Sequence, residues 1–443
     1  MKVIRVTKAC RMMILLTPLL VFLPLNWLNA SAFPTFEDVI AKNEHPPSIE
    51  DLTGGEVKPG DLIDINNVNL VKQFLTTGTY ELIKMGMVLR MSPGLPGVDQ
   101  IVPKTFLETT IQNMNKAVMD ENGTTYYQAV GVRWPGGLPF VQPKNGLEVA
   151  ANVKYGVVWD ELRNYPNMIR FVNAKGMVYK KVVLDQQYIY CTTRTSVPPL
   201  GTFPGYEKVM YKRTSAFTFP LEIKGLGQYN LRYYDDTTEY DTGFAYLPAF
   251  KRTIRASATT WQDNMAGSDI TYGDGQGLQE PYSDWEFKLL GNKFLLIPEH
   301  KSPFPLVNRL GRLDNRLHFD KGQKYPRVGW TIWPMHIVEG TPNIKHIYSK
   351  KMFYVHAWPY WPSSHAIVMT DNYDTQDKLW KVYIAIRGNF YVHNGETYTP
   401  DWGPQMYDVQ SDHCSQMWYI QSLNQQNYRP EDITLKTLLE TSR

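Results

Sequence analysis

Apolar residues follow two regimes along this chain. Up to about residue 165 they recur at helical spacing in short stretches broken by polar and Pro/Gly-rich segments. The stretch 104–119 is the clearest: Phe106, Leu107, Ile111, Met114 and Val118 recur every three or four residues, which predicts a helix. Shorter helices are expected at 36–42, 70–75 and 147–162, with a turn at Asn122-Gly123 and a rigid loop at Trp134-Pro135-Gly136-Gly137-Leu138-Pro139-Phe140. From Met168 onward the runs become short, aromatic or β-branched, and separated by turn residues. Strands are expected at 177–183, 187–193, 208–219, 229–234, 244–254, 283–290 and 294–297. They continue at 347–355, 365–370, 379–386 and 416–422, and 430–440 reads as a closing helix with proline near its start.

Ten or eleven strands joined mostly by short connections imply antiparallel pairing. A sheet of that many twisted strands curls or closes. The expected fold is therefore mainly β: a large curved antiparallel sheet, a half-barrel, with helices packed on its concave face and a helical N-terminal part. The early helices are the natural partial plug, and space that they leave becomes an apolar pocket. Nothing reads as a linker, so 33–443 is expected to be a single β-rich domain, with 33–165 helical and loop-rich and 166–443 mostly strands.

The first 32 residues differ from the rest. Lys2, Arg5, Lys8 and Arg11 precede an apolar run from Met12 to Leu28, and Ala30-Ser31-Ala32 follows, the three parts of a secretory signal peptide cleaved before Phe33. The run holds Pro18, Pro24 and Asn26 and is short for a bilayer core that needs about 20 residues, so an uncleaved anchor is disfavoured. Cys10 lies upstream of the run, so no cysteine follows the cleavage point to carry a lipid. A soluble protein that works outside the cytoplasm is expected.

Removing that segment takes four basic and no acidic residues, and the formal charge falls from +3 to −1. Without clustered Lys and Arg, a nucleic-acid partner loses its main physical argument, and none is expected. Cys191 and Cys414 remain. In an oxidising compartment they can pair in only one way, and two buried free thiols are the alternative.

No catalytic signature stands out. The sequence has no Gly-x-Ser-x-Gly elbow, no His-Glu-x-x-His pair and no Gly-Lys dipeptide of a phosphate-binding loop. Gly273-Asp274-Gly275-Gln276-Gly277 does not run from a strand into a helix and reads as a turn. The histidines, including His300, His336, His346, His356 and His365, fall at no ligating spacing, and Asp263, Asp269 and Asp274 fit no calcium loop. No cofactor or metal is expected, and no catalytic residue. The chemistry that remains is apolar, suited to a hydrophobic small molecule or lipid.

Two segments carry a family resemblance. The first is Tyr246-Leu247-Pro248-Ala249-Phe250-Lys251-Arg252-Thr253-Ile254-Arg255, followed by Asp263, Gly267, Asp274, Tyr282-Ser283-Asp284-Trp285 and Gly291. The second is Val338-Glu339-Gly340, then His346-Ile347-Tyr348-Ser349-Lys350-Lys351, Tyr373-Asp374 and Leu379-Trp380-Lys381. This order resembles the bacterial domain-of-unknown-function family 1329, described as outer-membrane lipoprotein-sorting-like, over most of the chain after residue 32. The resemblance implies a periplasmic protein similar in fold to the lipoprotein carriers LolA and LolB, which shield acyl chains in a concave sheet. It also suggests service to a membrane transporter of the resistance-nodulation-division type. Tyr246, Arg252, Arg255 and Trp285 are the candidate ligand-binding residues.

The chain departs from the family pattern where Lys251-Arg252-Thr253-Ile254-Arg255-Ala256 dilutes an arginine cluster, and where Asp377 replaces a turn glycine. Period-two alternation places Lys251, Thr253 and Arg255 on one face of that strand and Arg252 and Ile254 on the other. These charges either pair at the sheet rim or form a polar collar for an anionic head group. The leading function is a periplasmic binding or carrier protein for a lipid-like ligand. The alternatives are an outer-membrane β-barrel channel, disfavoured by a polar, helix-like C-terminus, and a hydrolase with an unrecognised site.

Overall fold

The computed structural model describes residues 47–93, 102–298, 324–357, 366–387, 391–398 and 401–441. The chain divides into two compact units, 1–33 and 34–443, and every described residue lies in the second. The expected signal segment 1–32, the helix at 36–42, His300 and His365 lie outside the described residues.

The early part holds the helices α1 (Ile49–Leu52), α2 (Thr77–Lys84), α3 (Lys104–Asn113) and α4 (Gly146–Tyr155), with short strands β1 (Leu62–Ile63), β2 (Leu89–Met91), β3 (Ala117–Met119) and β4 (Thr125–Tyr127). The long strands are β5 (Glu161–Val172), β6 (Val178–Tyr190), β7 (Val209–Phe219), β8 (Gly227–Tyr233), β9 (Thr242–Leu247), β10 (Arg252–Arg255), β11 (Trp285–Pro298) and β12 (Gly329–Pro342). Then follow β13 (Lys350–His356), β14 (Ile367–Tyr373), β15 (Leu379–Arg387), β16 (Tyr391–His393), β17 (Glu396–Tyr398), β18 (Asp401–Asp408), β19 (His413–Leu423) and helix α5 (Leu435–Thr441).

Fifteen strands form one sheet in the order β1-β2-β12-β13-β14-β15-β18-β19-β5-β6-β7-β8-β9-β10, with β11 also pairing β12. Among the described residues every strand pairing is antiparallel except the short parallel contact of β2 with β12. The sheet is open, its ordered path ending at β1 and β10. It is nonetheless strongly curled. The backbone carbonyl of Glu280 accepts from Arg232 Nη1 on β8 at 3.3 Å, while its carboxylate accepts from Trp285 Nε1 at 2.9 Å and pairs with His346, just before β13, at 3.0 Å. Strands β8 and β13 are eight steps apart in the order, roughly 38 Å if the sheet were flat. One residue can touch both only if the sheet wraps round it.

The concave face is thereby identified, and the chain's own 257–284 segment fills much of it. Along that face Arg213 donates to Gln279 Oε1 at 2.6 Å, Ser415 Oγ to Asp269 at 2.7 Å, Lys381 to the Asp269 carbonyl at 2.8 Å, and Lys351 to Asp274 at 2.8 Å. Helix α4 joins from the same side. Val149 packs with Val338, Phe353 and Ile367, and Lys154 meets Asp236 at 2.6 Å. Asn145 caps α4 by accepting from Glu148 N, and Gly146 lets its first turn lie against β11, where a Cβ would fall 2.3 Å from the Phe287 carbonyl oxygen. The plug thus combines α4 with a later segment of 3₁₀ turns. Helices α2 and α5 lie on the opposite face, where Gly78 N donates to Asp371 at 3.0 Å and Leu438 covers Gly227.

Several expected elements change their bounds for local reasons. The helix expected at 104–119 ends at Asn113, because Met114 is extended and Asn115 takes φ 60°, and Val118 belongs instead to a hairpin closed at Asn122-Gly123. The helix expected at 147–162 stops at Tyr155, since Glu161 already pairs with β6. The 70–75 helix is two 3₁₀ turns, Val68–Leu70 and Lys72–Phe74. Strands expected at 177–183 and 187–193 are one, β6, whose polar middle finds cross-strand partners: Asp185 with Arg163 at 2.6 Å and Gln186 with Asn164 at 3.0 Å. Likewise β11 runs through a bulge at Gly291, while 244–254 folds back as the β9–β10 hairpin. Asp377 takes φ 59°, so aspartate serves the turn where glycine was usual.

Candidate functional site

The space that the plug leaves lies beside strands β7 to β10. Here the curled sheet forms one wall and the 256–272 stretch the other, enclosing a cleft of about 440 Å³. Its apolar lining comes from Phe217, Leu226, Ala245, Ile254 and Met265, and Arg255, Asp263 and Asn264 add polar groups. The β9–β10 hairpin sets this wall. Pro248–Phe250 forms a 3₁₀ turn, Lys251 takes the left-handed conformation at φ 50°, and the return strand pairs Ile254 with Ala245 and Arg252 with Leu247. Ala245 in turn pairs with Gln228, so these three line one face of the sheet.

Of the four candidate residues, two border this region. Arg255 lines the cleft, and Arg252, exposed near the hairpin turn, shares its strand face with Ile254 as the alternation predicts. Tyr246 lies between Gly227 and Thr253, one residue out of phase with Ala245, and so belongs to the other face of β9. Trp285 stands apart. It is 3% exposed at the start of β11, donates to Glu280, and packs edge-on against His346 and Phe353 with the Lys351 ammonium 5.4 Å from its ring.

Behind the cleft the plug is held by buried charge. Burial opposes the charge on Asp274, but Lys351 and Lys381 outweigh it and hold its carboxyl below the usual range. Asp236 follows the same logic: burial raises it, while Lys154 and Arg232 lower it further. Tyr348 donates to Asp274 at 3.1 Å, and burial, then that carboxylate, keeps its hydroxyl protonated. The Gly273–Gly277 stretch is part of this anchor: Thr271 and Asp274 form a capping box, and Gln276 and Gly277 take positive φ.

Further out, His413 Nδ1 lies 2.8 Å from Asp269, and Ser415 donates to the same carboxylate. Serine and histidine thus share one acceptor and are not arranged as a nucleophile and its base. His346 pairs with Glu280 and His336 with Asn292 at 2.6 Å. Among the described residues no three His, Cys, Asp or Glu side chains gather as metal ligands. Cys191 and Cys414 are both buried and free, so the bridge left open by the sequence is not formed. No described helix is long and apolar enough to cross a membrane.

Sequence reasoning missed Phe217, Leu226 and Met265, and also Arg213, which lines a small space adjoining the cleft. Arg213 does carry a signal, a charge between aromatic residues in a strand-like run. Its partners come from 17, 25 and 66 residues away, which spacing alone does not show.

A comparison with curated proteins gives no match. Among solved structures, the chain resembles a domain assigned to outer membrane lipoprotein sorting from Vibrio parahaemolyticus, at 16% identity over 67% of this chain and 98% of that one, TM-score 0.44. It also resembles a DUF1329 family protein from Desulfovibrio piger, at 13% identity over 66% and 96%, TM-score 0.44. A LolA superfamily protein from Nitrosomonas europaea follows at 14% identity over 67% and 100%, TM-score 0.38. The sequence profile of the family "Protein of unknown function (DUF1329)" matches residues 62–435. That span takes in the whole curled sheet, the plug and the cleft, and the chain belongs to the DUF1329 family.

Proposed function

We propose that this protein binds and carries a lipid-like hydrophobic ligand in the cleft between β7–β10 and the 256–272 stretch. The observation that supports this reading is the cleft itself, about 440 Å³ at the end of the concave face that the plug leaves open. That volume falls within the range of small-molecule sites, roughly 300–1,000 Å³. Burying some ten methylenes there contributes about 8 kcal/mol before ordering costs. The ligand chain lies against Phe217, Leu226 and Met265, with Arg252 and Arg255 at the border. In this reading the protein acts by binding and not by catalysis.

The reading extends to place and partner. Residues 1–32 direct export to the periplasm, and the ligand passes to or from a membrane transporter of the resistance-nodulation-division type. The test is uptake by protein stripped of lipid. Titration with a fluorescent fatty acid should give saturable binding at one site per chain, displaced by unlabelled fatty acid. A stripped, folded protein that takes up none of the probe contradicts the reading.

A further inference from the structure

A small space adjoining the cleft is lined by a buried cation that has no counter-ion among the described residues. Arg213 is 2% exposed, and its guanidinium donates through Nη1 to Gln279 Oε1 at 2.6 Å and to the Tyr188 hydroxyl at 3.3 Å, and through Nη2 to Asn230 Oδ1 at 2.7 Å. All three acceptors are neutral, and Nε has no partner. The cations around it are matched: Arg232 with Asp241 at 2.6 Å, Lys154 with Asp236 at 2.6 Å, Lys351 with Asp274 at 2.8 Å. The other nearby carboxylates face elsewhere, Glu280 toward Trp285 and His346, and Asp284 toward the Tyr240 hydroxyl. A buried guanidinium that lacks an anion is costly, and supplying one is favourable.

The surroundings suit an incoming oxyanion. Arg213 lines a small space of about 20 Å³, which shares Gln228, Ser257, Thr260 and Tyr272 with the cleft. That volume admits one oxygen-sized group and no more. The guanidinium is fixed by its neutral partners and by Trp261, whose ring centre is 5.4 Å from its carbon. Asp241 also lines this space, but Arg232 engages both of its oxygens, Nε at 3.0 and 3.2 Å and Nη2 at 2.6 Å.

We propose that Arg213 is the anion-binding residue of this protein, taking one oxygen of a carboxylate or phosphate head group while the ligand's apolar chain extends outward along the cleft. The inference rests on the binding reading above and narrows its ligand to an anionic amphiphile, entering head first.

Calorimetric titration of the purified protein with decanoate, decyl phosphate, decanol and inorganic phosphate separates the possibilities. Decanoate or decyl phosphate should bind about tenfold or more tighter than decanol, the gain expected of a charge-assisted bond in a dry site. Arg213→Gln should bring the acid down to the alcohol and leave the alcohol unchanged. Asn230→Asp should do the same with the guanidinium still present, by supplying a carboxylate where Nη2 now meets an amide, so a folding defect in the first variant does not decide the matter. Equal affinity for acid and alcohol in the unmodified protein overturns the anion site and leaves the carrier reading standing. Binding of inorganic phosphate but of no ten-carbon ligand overturns both.

Discussion

The ammonium of Lys351 on β13 lies 2.8 Å from the carboxylate of Asp274 in the plug, with both side chains sealed from solvent at 0% and 2% exposure. This contact fastens the 3₁₀ segment to β13 of the curled sheet, and Tyr348 donates to the same carboxylate. Removing one partner leaves the other charged and buried. Lys351→Met is expected to destabilise the fold by about 3–5 kcal/mol, and Lys351→Met with Asp274→Asn by clearly less than the sum of the single changes. Urea denaturation of the three variants measures this, and strict additivity would show that the two residues do not act as a pair.

The same pair sets an acid limit. The folded-state carboxyl of Asp274 titrates below its unfolded value near 3.8, so its contribution is complete above that pH and is lost as pH falls through the depressed value. A loss of stability below about pH 4 is expected from this group, and Asp274→Asn should flatten that part of the stability profile.

Asp371 predicts the opposite slope. It is fully buried under the first turn of α2, accepting from Gly78 N at 3.0 Å and the Tyr354 hydroxyl at 2.8 Å, and burial raises its pKa to about 6. A group raised on folding stabilises below its unfolded pKa and loses that contribution as pH climbs through the folded value. Over the whole titration, from well below pH 4 to well above pH 6, this amounts to roughly 3 kcal/mol. Asp371→Asn keeps one acceptor and removes the charge. It should match the unmodified protein near pH 4 and exceed it in stability at pH 8, and thermal melts at the two pH values compare them directly.

Thiol reactivity follows from burial. Desolvation pushes Cys191 up to about 12 and Cys414 also upward, and neither is bridged. Neither thiol should react with a thiol reagent at pH 8 in the folded protein, and both should react once it is unfolded. Rapid labelling of either in the native state would place it nearer the surface than described.

Filling the cleft tests its role without touching the anchor. Ala245 faces the cleft from β9, paired with Ile254 and Gln228. Ala245→Trp should lower fatty-acid affinity by about tenfold or more with little change in melting temperature. Equal affinity in the variant would move the ligand elsewhere on the molecule.

Much of the architecture was legible because strands announce themselves through aromatic and β-branched runs, as in Val209–Phe219 and Leu379–Arg387. Strand β12 was not. Trp330 to Val338 is a near-continuous apolar run, but Pro334 argues against a central strand. In the fold that proline sits where the pairing with β13 ends, and its carbonyl accepts from Ala357 N at 2.9 Å. The plug was legible only in part, in α4, for a related reason. Residues 257–284 carry no helical or alternating period, so nothing local marks them as interior. What buries them is a set of long-range polar contacts, such as Asp274 with Lys351, 77 residues away. The candidate site was legible only in part. The motif pointed to Arg252 and Arg255, but the hairpin that bears them read as one strand, and Trp285 in the same motif serves the core.

Native mass spectrometry of the protein purified gently from the cells that make it, with organic extraction of whatever is released, tests the carrier reading most directly. The account predicts one anionic, long-chain amphiphile per chain, absent from the Ala245→Trp variant. A protein that emerges empty, and that stays empty when fatty acids and phospholipids are added, would contradict it.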